Sequence, residues 1–397
     1  SYGFNGIRQF VKMVGCPNEV GEAYAYKADT TAYRNVLDLM LEDSEESIIS
    51  FAKGFFCYYT FRNGIDNVIA LLHSLDIKKY ETVIVIPITV APCACQSMWD
   101  YIKTLPNHIQ KEYWTNLNVG IIYEENAGFI VKKMIEYKRF DRALDIIYHS
   151  SHKNIQFDTT IIEETIIGII KASDSNLFSR MQYELAKVVY ILDKREDANL
   201  QTLYSIEVLL YRLLEHHGNI NDTKFIKEIM SNPESLMEII DKTYLSSDEN
   251  ERSAEIEQVK NDNSYALLGW HIFYTLRQTP FVDSNNTIDE VALNNYIDQL
   301  QTLGNAKHKI KGVNTVIGEL LGNYPETEDY PSIPICDIIE RLNNKEVNNG
   351  FRTRLYNKRG VTVRPAYEGG TLEKNEADKY KKYADKIIAL SDKLMKG

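Results

Sequence analysis

Two cysteines separated by one residue are the first candidate for chemistry in this chain. Cys93 and Cys95 follow Pro92 directly. A structural zinc site usually needs four ligands, and the sequence supplies no second cysteine pair to complete one. We therefore interpret both residues as small buried side chains at the start of a helix, since free cysteine packs like a small hydrophobe. We expect no metal and no cofactor.

Histidines next to acidic residues form the second candidate. His149 and His152 lie in one segment, and Glu215, His216 and His217 lie together in another. Both segments end predicted helices, where the helix dipole favours a protonated imidazole. The chain carries no zinc-protease, Walker A, dinucleotide-binding or serine-hydrolase motif. An enzyme is therefore not favoured, but a site where His149 or His216 meets carboxylates from another helix stays an open alternative.

A basic segment, 349–370, is the third candidate and the most distinctive. Between Phe351 and Pro365 it has five basic residues and no acidic one, in a chain of net charge -11. Arginine binds phosphate or carboxylate through two parallel hydrogen bonds. The segment therefore predicts either an anion site or a packed loop whose arginines pair with acidic helices, and we favour the packed loop. The candidate anion-binding or partner-binding residues are Arg352, Arg354, Lys358, Arg359 and Arg364.

The elements that must position these residues are helices. Ala127, Ile130, Val131, Met134 and Ile135 follow the spacing of a helix with one apolar face, and similar stripes recur along the chain. The connections between stripes are short. The sequence therefore predicts an all-α fold of degenerate helical-hairpin repeats, an α-solenoid of the TPR or HEAT type.

One segment has the composition of a strand instead. Residues 82–86 are a threonine followed by valines and isoleucines, and all of them are β-branched. A lone strand among helices has no partner for its backbone groups. We therefore predict a buried helix that ends near Pro87.

The most polar stretch of the chain sets the predicted domain boundary. We expect a helical-repeat array over 1–245, a polar linker or loop over 246–263, and a smaller helical unit over 264–397. That smaller unit contains the basic loop 349–370 and a terminal helix from about Lys374. The three tryptophans, Trp99, Trp114 and Trp270, adjoin apolar helical positions and are expected in the core.

Composition excludes several classes of function. The chain has 397 residues and an acidic balance, so duplex nucleic acid is not the default partner. No stretch approaches the roughly 20 apolar residues of a membrane span, and no membrane partner is expected. Five cysteines are too few for a disulfide framework, which favours a reducing cytoplasm. The sequence does not fix the oligomeric state.

Short motifs along the chain resemble a group of bacterial proteins. Trp99-Asp100-Tyr101, Gln110 to Trp114, Arg139 to Asp145 and Tyr356 to Thr362 follow one another in the order found there, and Glu368-Gly369-Gly370 with Glu373 completes the set. They resemble the helical region of large multi-domain bacterial proteins of unassigned activity, although Lys138 stands where that group often has glycine. The resemblance implies an all-helical region of a longer polypeptide, in a defence or stress factor, with any catalytic part elsewhere. It supplies no catalytic residues.

These observations favour a non-catalytic scaffold. We expect this region to bind a protein partner or neighbouring domains of the same polypeptide, in anti-phage defence. The alternatives are nucleic-acid or nucleotide binding through residues 351–364, and an enzyme with an unrecognised histidine–carboxylate site.

Overall fold

The fold is all-α, as the sequence predicts. The computed structural model describes residues 3–119, 124–172, 175–261, 264–283, 285–324 and 332–358, with residue 370 and nine residues between 374 and 385. Within those residues the only β pairing is an isolated bridge between Val282 and Ile288. In the same part of the chain, none of the helices has both the length and the apolar content that spanning a membrane requires.

The chain divides into two compact units, Ser1–Leu213 and Leu214–Gly397. Helices in the first unit are joined by short connections, and α16 begins in the first unit and ends in the second. The helices up to that point are α1 (Gly3–Val11), α2 (Pro17–Ala25), α3 (Thr30–Glu42), α4 (Glu46–Asn63), α5 (Ile65–His73), α6 (Ile77–Tyr80), α7 (Val85–Thr89), α8 (Gln96–Ile102), α9 (Asn107–Asn116), α10 (Glu124–Glu136), α11 (Phe140–Ser151), α12 (Thr159–Ala172), α13 (Ser175–Arg180), α14 (Gln182–Asp193), α15 (Leu200–Leu209) and α16 (Tyr211–His217).

The first unit is built around an unusually close helix crossing. Helices α2 and α4 pack on each other, and a Cβ atom at Gly54 would lie only 2.0 Å from the carbonyl oxygen of Asn18. Glycine there lets the two backbones approach directly. Farther along the chain, α10 packs on α11 and α11 on α12. The repeat character of the array stays a prediction.

The β-branched segment 82–86 forms a turn over 82–84 and then enters a short helix. Helix α7 covers Val85–Thr89, and the Ile84 and Ile88 side chains are fully buried. Pro87 lies inside this short helix, so the helix continues two residues beyond the predicted end. Proline is tolerated in the first turn of a helix, where its missing N–H has no intrahelical partner.

The helices of the second unit surround a smaller core. They are α17 (Lys224–Ser231), α18 (Pro233–Thr243), α19 (Glu249–Asn261), α20 (Ser264–Thr275), α21 (Glu290–Ala306), α22 (Ile310–Leu321), α23 (Ile333–Leu342) and α24 (Lys345–Lys358). Because α18 packs on α20 and α21, it belongs to the second unit. The division therefore falls before the predicted boundary at residue 245.

Two segments expected as loops contain helices. The polar stretch 246–263 holds α19, whose first amides, Asn250 N and Glu251 N, donate to the Asp248 carboxylate at 3.0 and 3.1 Å. The basic segment 349–370 is helical up to Lys358, within α24. Here Gly350 serves helix packing, because a Cβ atom at this position would lie 2.1 Å from Thr315 O. Of the predicted terminal helix, the described residues between 374 and 385 are helical.

Candidate interaction surface

One face of α20 presents apolar and aromatic side chains to solvent. Leu267, Trp270 and Tyr274 are 51%, 47% and 56% exposed. Their spacing of three and four residues places them on the same side of the helix. Ile272 lies on the opposite side of the helix and is buried, and Phe273 on the flank is buried as well. The outward side chains therefore leave a large apolar area in contact with water.

A cavity adjoins this face. It has a volume of about 530 Å³ and lies where the end of α18, α19 and the start of α20 meet. The Tyr244 ring borders the cavity and contacts the Trp270 ring, with centroids 4.8 Å apart. Burial raises the pKa of the Tyr244 hydroxyl, so it stays neutral. The residues lining the cavity are Asp241, Lys242, Thr243, Tyr244, Leu245, Glu255, Gln258, Val259 and Ala266.

Further exposed apolar residues lie on the two other elements that border the cavity. Leu245, just after α18, is 42% exposed, and Ile256 and Val259 on α19 are each 37% exposed. Together with the three residues of α20 they form what we call the α20 surface. The α20 surface consists of Leu245, Ile256, Val259, Leu267, Trp270 and Tyr274.

A buried lysine holds α19 at the edge of this surface. The Lys309 side chain is 2% exposed, and its Nζ donates to Glu255 Oε1 at 2.6 Å. The same Nζ donates to the carbonyl oxygens of Tyr244 and Asp241 at 2.6 and 3.1 Å, at the C-terminal end of α18. A cation is favoured there because the last carbonyls of a helix lack intrahelical partners. Lys309 therefore connects α18 to α19.

Ser246 adds two further contacts to α19. Its backbone N donates to Glu255 Oε2 at 2.7 Å, and its hydroxyl donates to Glu251 Oε2 at 2.8 Å. Apart from Glu255, the α19 residues from Glu249 to Val259 are exposed. Polar contacts thus position α19, and its apolar side chains stay available at the α20 surface.

Arg354, a predicted anion-binding residue, is buried and used inside the protein. Its Nη1 donates to Tyr274 O at 2.7 Å, its Nη2 donates to Leu276 O, and its Nε donates to Asn323 Oδ1. The two carbonyls belong to the C-terminal end of α20. The guanidinium serves three protein acceptors and is 2% exposed, so the structure gives Arg354 a role inside the protein. These contacts do not favour its binding of an external anion.

The sequence predicts four other basic candidate residues, and the structure describes the backbone of two of them, Arg352 and Lys358. Arg352 is exposed on α24, two residues before the buried Arg354. Lys358 is the last residue of α24. Arg359 and Arg364 lie outside the described residues. Among the basic side chains of 351–364 whose exposure the structure describes, Arg352 is exposed and Arg354 is buried.

A histidine and a carboxylate from different helices do meet, but not the pair that was expected. His271 Nε2 on α20 lies 2.7 Å from Glu215 Oε2 on α16. His216, which follows Glu215 in the chain, is exposed. His149 Nε2 lies 3.2 Å from Asp145 Oδ1 of its own helix. The Glu215–His271 pair links the end of α16 to the middle of α20, beside Trp270. Only tertiary structure brings these two residues together.

Of the two neighbouring cysteines, Cys93 packs in the core as predicted, whereas Cys95 is only half-buried. Cys93 is fully buried, and its thiol lies 3.4 Å from Pro87 O. Burial raises the pKa of this thiol, which disfavours the thiolate that metal binding and nucleophilic attack require. Among the described residues, no group of three or more histidine, cysteine or acidic side chains is arranged to hold a metal ion.

Trp270 is the residue that sequence reasoning placed wrongly. Trp99 and Trp114 are buried as predicted, with ring centroids 6.2 Å apart, whereas Trp270 is about half exposed. Helix α20, SYALLGWHIFYT, is apolar on all sides. Such a helix gives no periodic signal for its buried face.

Comparisons with protein families, curated proteins and solved structures find no significant match. The geometry of the molecule is therefore the basis for its proposed function.

Proposed function

We propose that this chain is a non-catalytic helical scaffold that binds a protein partner through the α20 surface. The observation that carries the proposal is the exposure of Trp270 and Tyr274 on one face, next to a cavity. Contiguous exposed apolar surface of this kind marks binding sites in soluble proteins. Tryptophan and tyrosine are also the residues that most often dominate binding energy at interfaces.

Two further features support a scaffold rather than an enzyme. The buried cation Lys309 and the buried guanidinium of Arg354 both serve helix ends, which gives them structural roles. The five cysteines are free, which fits a reducing compartment, and we place the role in the cytoplasm. The motif resemblance to large bacterial proteins supports a role in anti-phage defence.

The test is capture of partners from bacterial lysate by three tagged chains. We expect the native chain to capture a specific protein, and the Trp270→Ala/Tyr274→Ala chain to bind it at least about tenfold more weakly, as loss of central aromatic residues usually does. The matched control is Tyr356→Ala, because Tyr356 is 75% exposed in the same unit but lies outside the α20 surface.

The captured protein should be identified by mass spectrometry, and its affinity for all three purified chains should then be measured by calorimetry. Equal affinity for the three chains would place the binding site elsewhere. Failure to capture any protein over several salt concentrations would contradict the proposal as a whole.

A further inference from the structure

We propose that the first unit binds a free α-amino acid in a cavity lined by α2, α4, α7 and the end of α9. The proposal rests on the charges, the hydrogen-bonding side chains and the apolar part of this cavity. It concerns residues of Ser1–Leu213 alone and is tested without any protein partner, so it stands or falls independently of the α20 surface.

The cavity has the size of a small-ligand site. Its volume is about 430 Å³, and such sites usually measure about 300–1,000 Å³. Helices α2 and α4 form two of its walls, and their spacing is fixed because their backbones meet at Gly54. A hydrogen bond of 3.1 Å from Asn118 N to Thr89 O joins the chain after α9 to the end of α7. The lining residues are Asn18, Glu22, Ser50, Lys53, Gly54, Cys57, Ile86, Thr89, Val90, Ala91, Asn116 and Asn118.

The lining carries one cation and one anion. These are Lys53 on α4 and Glu22 on α2. Both residues are exposed, and neither forms a salt bridge within the residues that the structure describes. An ammonium group donates to a carboxylate, and a carboxylate accepts from an ammonium group. A ligand that carries one charge of each sign, as a free α-amino acid does, therefore satisfies both side chains.

The same lining disfavours other classes of small ligand. A phosphate is usually held by several cationic donors or by arginine, whereas this cavity has a single lysine. A nucleobase stacks on aromatic rings, and none of the residues that line this cavity is aromatic. The balance of one positive and one negative charge therefore favours a small zwitterion.

The uncharged part of the lining can hold the rest of such a ligand. The side chains of Asn18, Ser50 and Asn118 have no hydrogen-bond partner among the described residues, and each can donate and accept. Val90 is buried and Ile86 is half-buried, so the cavity also has an apolar part. Burial raises the pKa of the half-buried Cys57 thiol, which stays neutral and acts as a small apolar group.

Calorimetric titration of the full-length chain with each of the twenty standard α-amino acids tests the site. We expect at least one to bind, and its Kd to rise at least about tenfold in Lys53→Gln and in Glu22→Gln, because each variant loses a charged hydrogen bond to the ligand. The matched controls are Glu19→Gln on α2 and Lys27→Gln just after it, which are exposed and lie outside the lining. Both controls should bind as the native chain does.

Blocked forms of the amino acid that binds assign each charge to its partner. The N-acetyl form has no ammonium group, so Glu22→Gln should not weaken its binding further. The methyl ester has no carboxylate, so Lys53→Gln should not weaken its binding further. All four substitutions replace exposed side chains, and unchanged circular dichroism and melting temperature should show that the variants are folded.

Three results would overturn the inference. The first is the absence of binding by all twenty amino acids at millimolar concentration. The second is equal affinity of the native, Lys53→Gln and Glu22→Gln chains for the amino acid that binds. The third is binding of both blocked forms as tightly as the free amino acid, since the charges would then contribute nothing.

Discussion

Two arginines on α24 show how position decides the use of a side chain. Arg352 faces solvent, whereas Arg354, two residues later, holds the C-terminal carbonyls of α20. These carbonyls have no further turn of helix to supply their donors. The guanidinium replaces those donors and joins α24 to α20.

Replacing Arg354 by alanine should therefore destabilise the second unit. We expect a loss of about 3 kcal/mol in the free energy of unfolding, because buried acceptors lose charged donors. Urea denaturation followed by circular dichroism measures it. Arg352→Ala is the control on the same helix and should change the free energy by less than about 0.5 kcal/mol. Equal effects of the two substitutions would contradict the structural role of Arg354.

A carboxylate in the first unit gives a prediction for pH. Asp43 is 6% exposed at its side chain, and its Oδ2 lies 2.7 Å from Lys12 Nζ and 2.8 Å from Arg8 Nη2. The hydrogen bond from Lys12, aided by the Glu45 amide and Arg8, lowers the pKa of Asp43 from 3.8 to about 2. The folded protein thus prefers the ionised carboxyl more strongly than the unfolded chain does.

The sign of the effect follows from this lowered pKa. The stabilisation from Asp43 is complete above the unfolded pKa near 3.8 and is lost as the pH falls towards about 2. We expect the native chain to be more stable than Asp43→Asn at about pH 5, and the two to converge as the pH approaches about 2. Urea titrations of both chains across this range measure the difference, and a difference that does not change with pH would rule out this role.

At the scale of elements, glycine at the crossing of α2 and α4 allows these two helices to pack closely. Gly54 meets the backbone of α2 directly, so no side chain fits between them. A Cβ atom at Gly128, inside α10, would instead have no neighbouring atom within 4 Å. The two glycines therefore differ in what surrounds them.

Alanine at these two positions should have opposite effects. Gly54→Ala forces the helices apart, and we expect it to lower the free energy of unfolding by about 1–3 kcal/mol. Gly128→Ala should raise it by up to about 1 kcal/mol, because alanine favours helix. Thermal or urea denaturation of the two chains compares them. A stabilising Gly54→Ala would show that the close crossing does not form.

At the scale of the whole molecule, charge bears on the alternative of nucleic-acid binding. The net charge is -11, and Arg354 is not available for phosphate. Phosphate contacts by several basic residues are what give sequence-independent binding its strength. The acidic balance of the chain works against such binding.

We therefore expect no binding of single-stranded or duplex oligonucleotides at about 50 mM salt, where electrostatic binding is strong. Fluorescence anisotropy of labelled oligonucleotides measures it. Binding that weakens steeply with salt and is reduced by Arg352→Ala would instead favour an anion site on α24.

The sequence by itself determined the fold class and much of the core. Apolar spacing predicts the helices, because the period of the α-helix is a local property. Trp99, Trp114 and Cys93 are buried as their neighbours indicate. Burial of these side chains could be read from the sequence because each lies among apolar residues close to it in the chain.

Only the tertiary structure decided which candidate residues are exposed to solvent. Trp270 lies on a helix that is apolar all round, so its exposure depends on where α18 packs. Arg354 is buried because carbonyls about 80 positions earlier in the chain come to lie beside it. Helix α19 lacks an apolar stripe, and the distant Lys309 fixes its place. Local patterns specify helices, whereas contacts between residues far apart in the chain specify the surface that the protein can use.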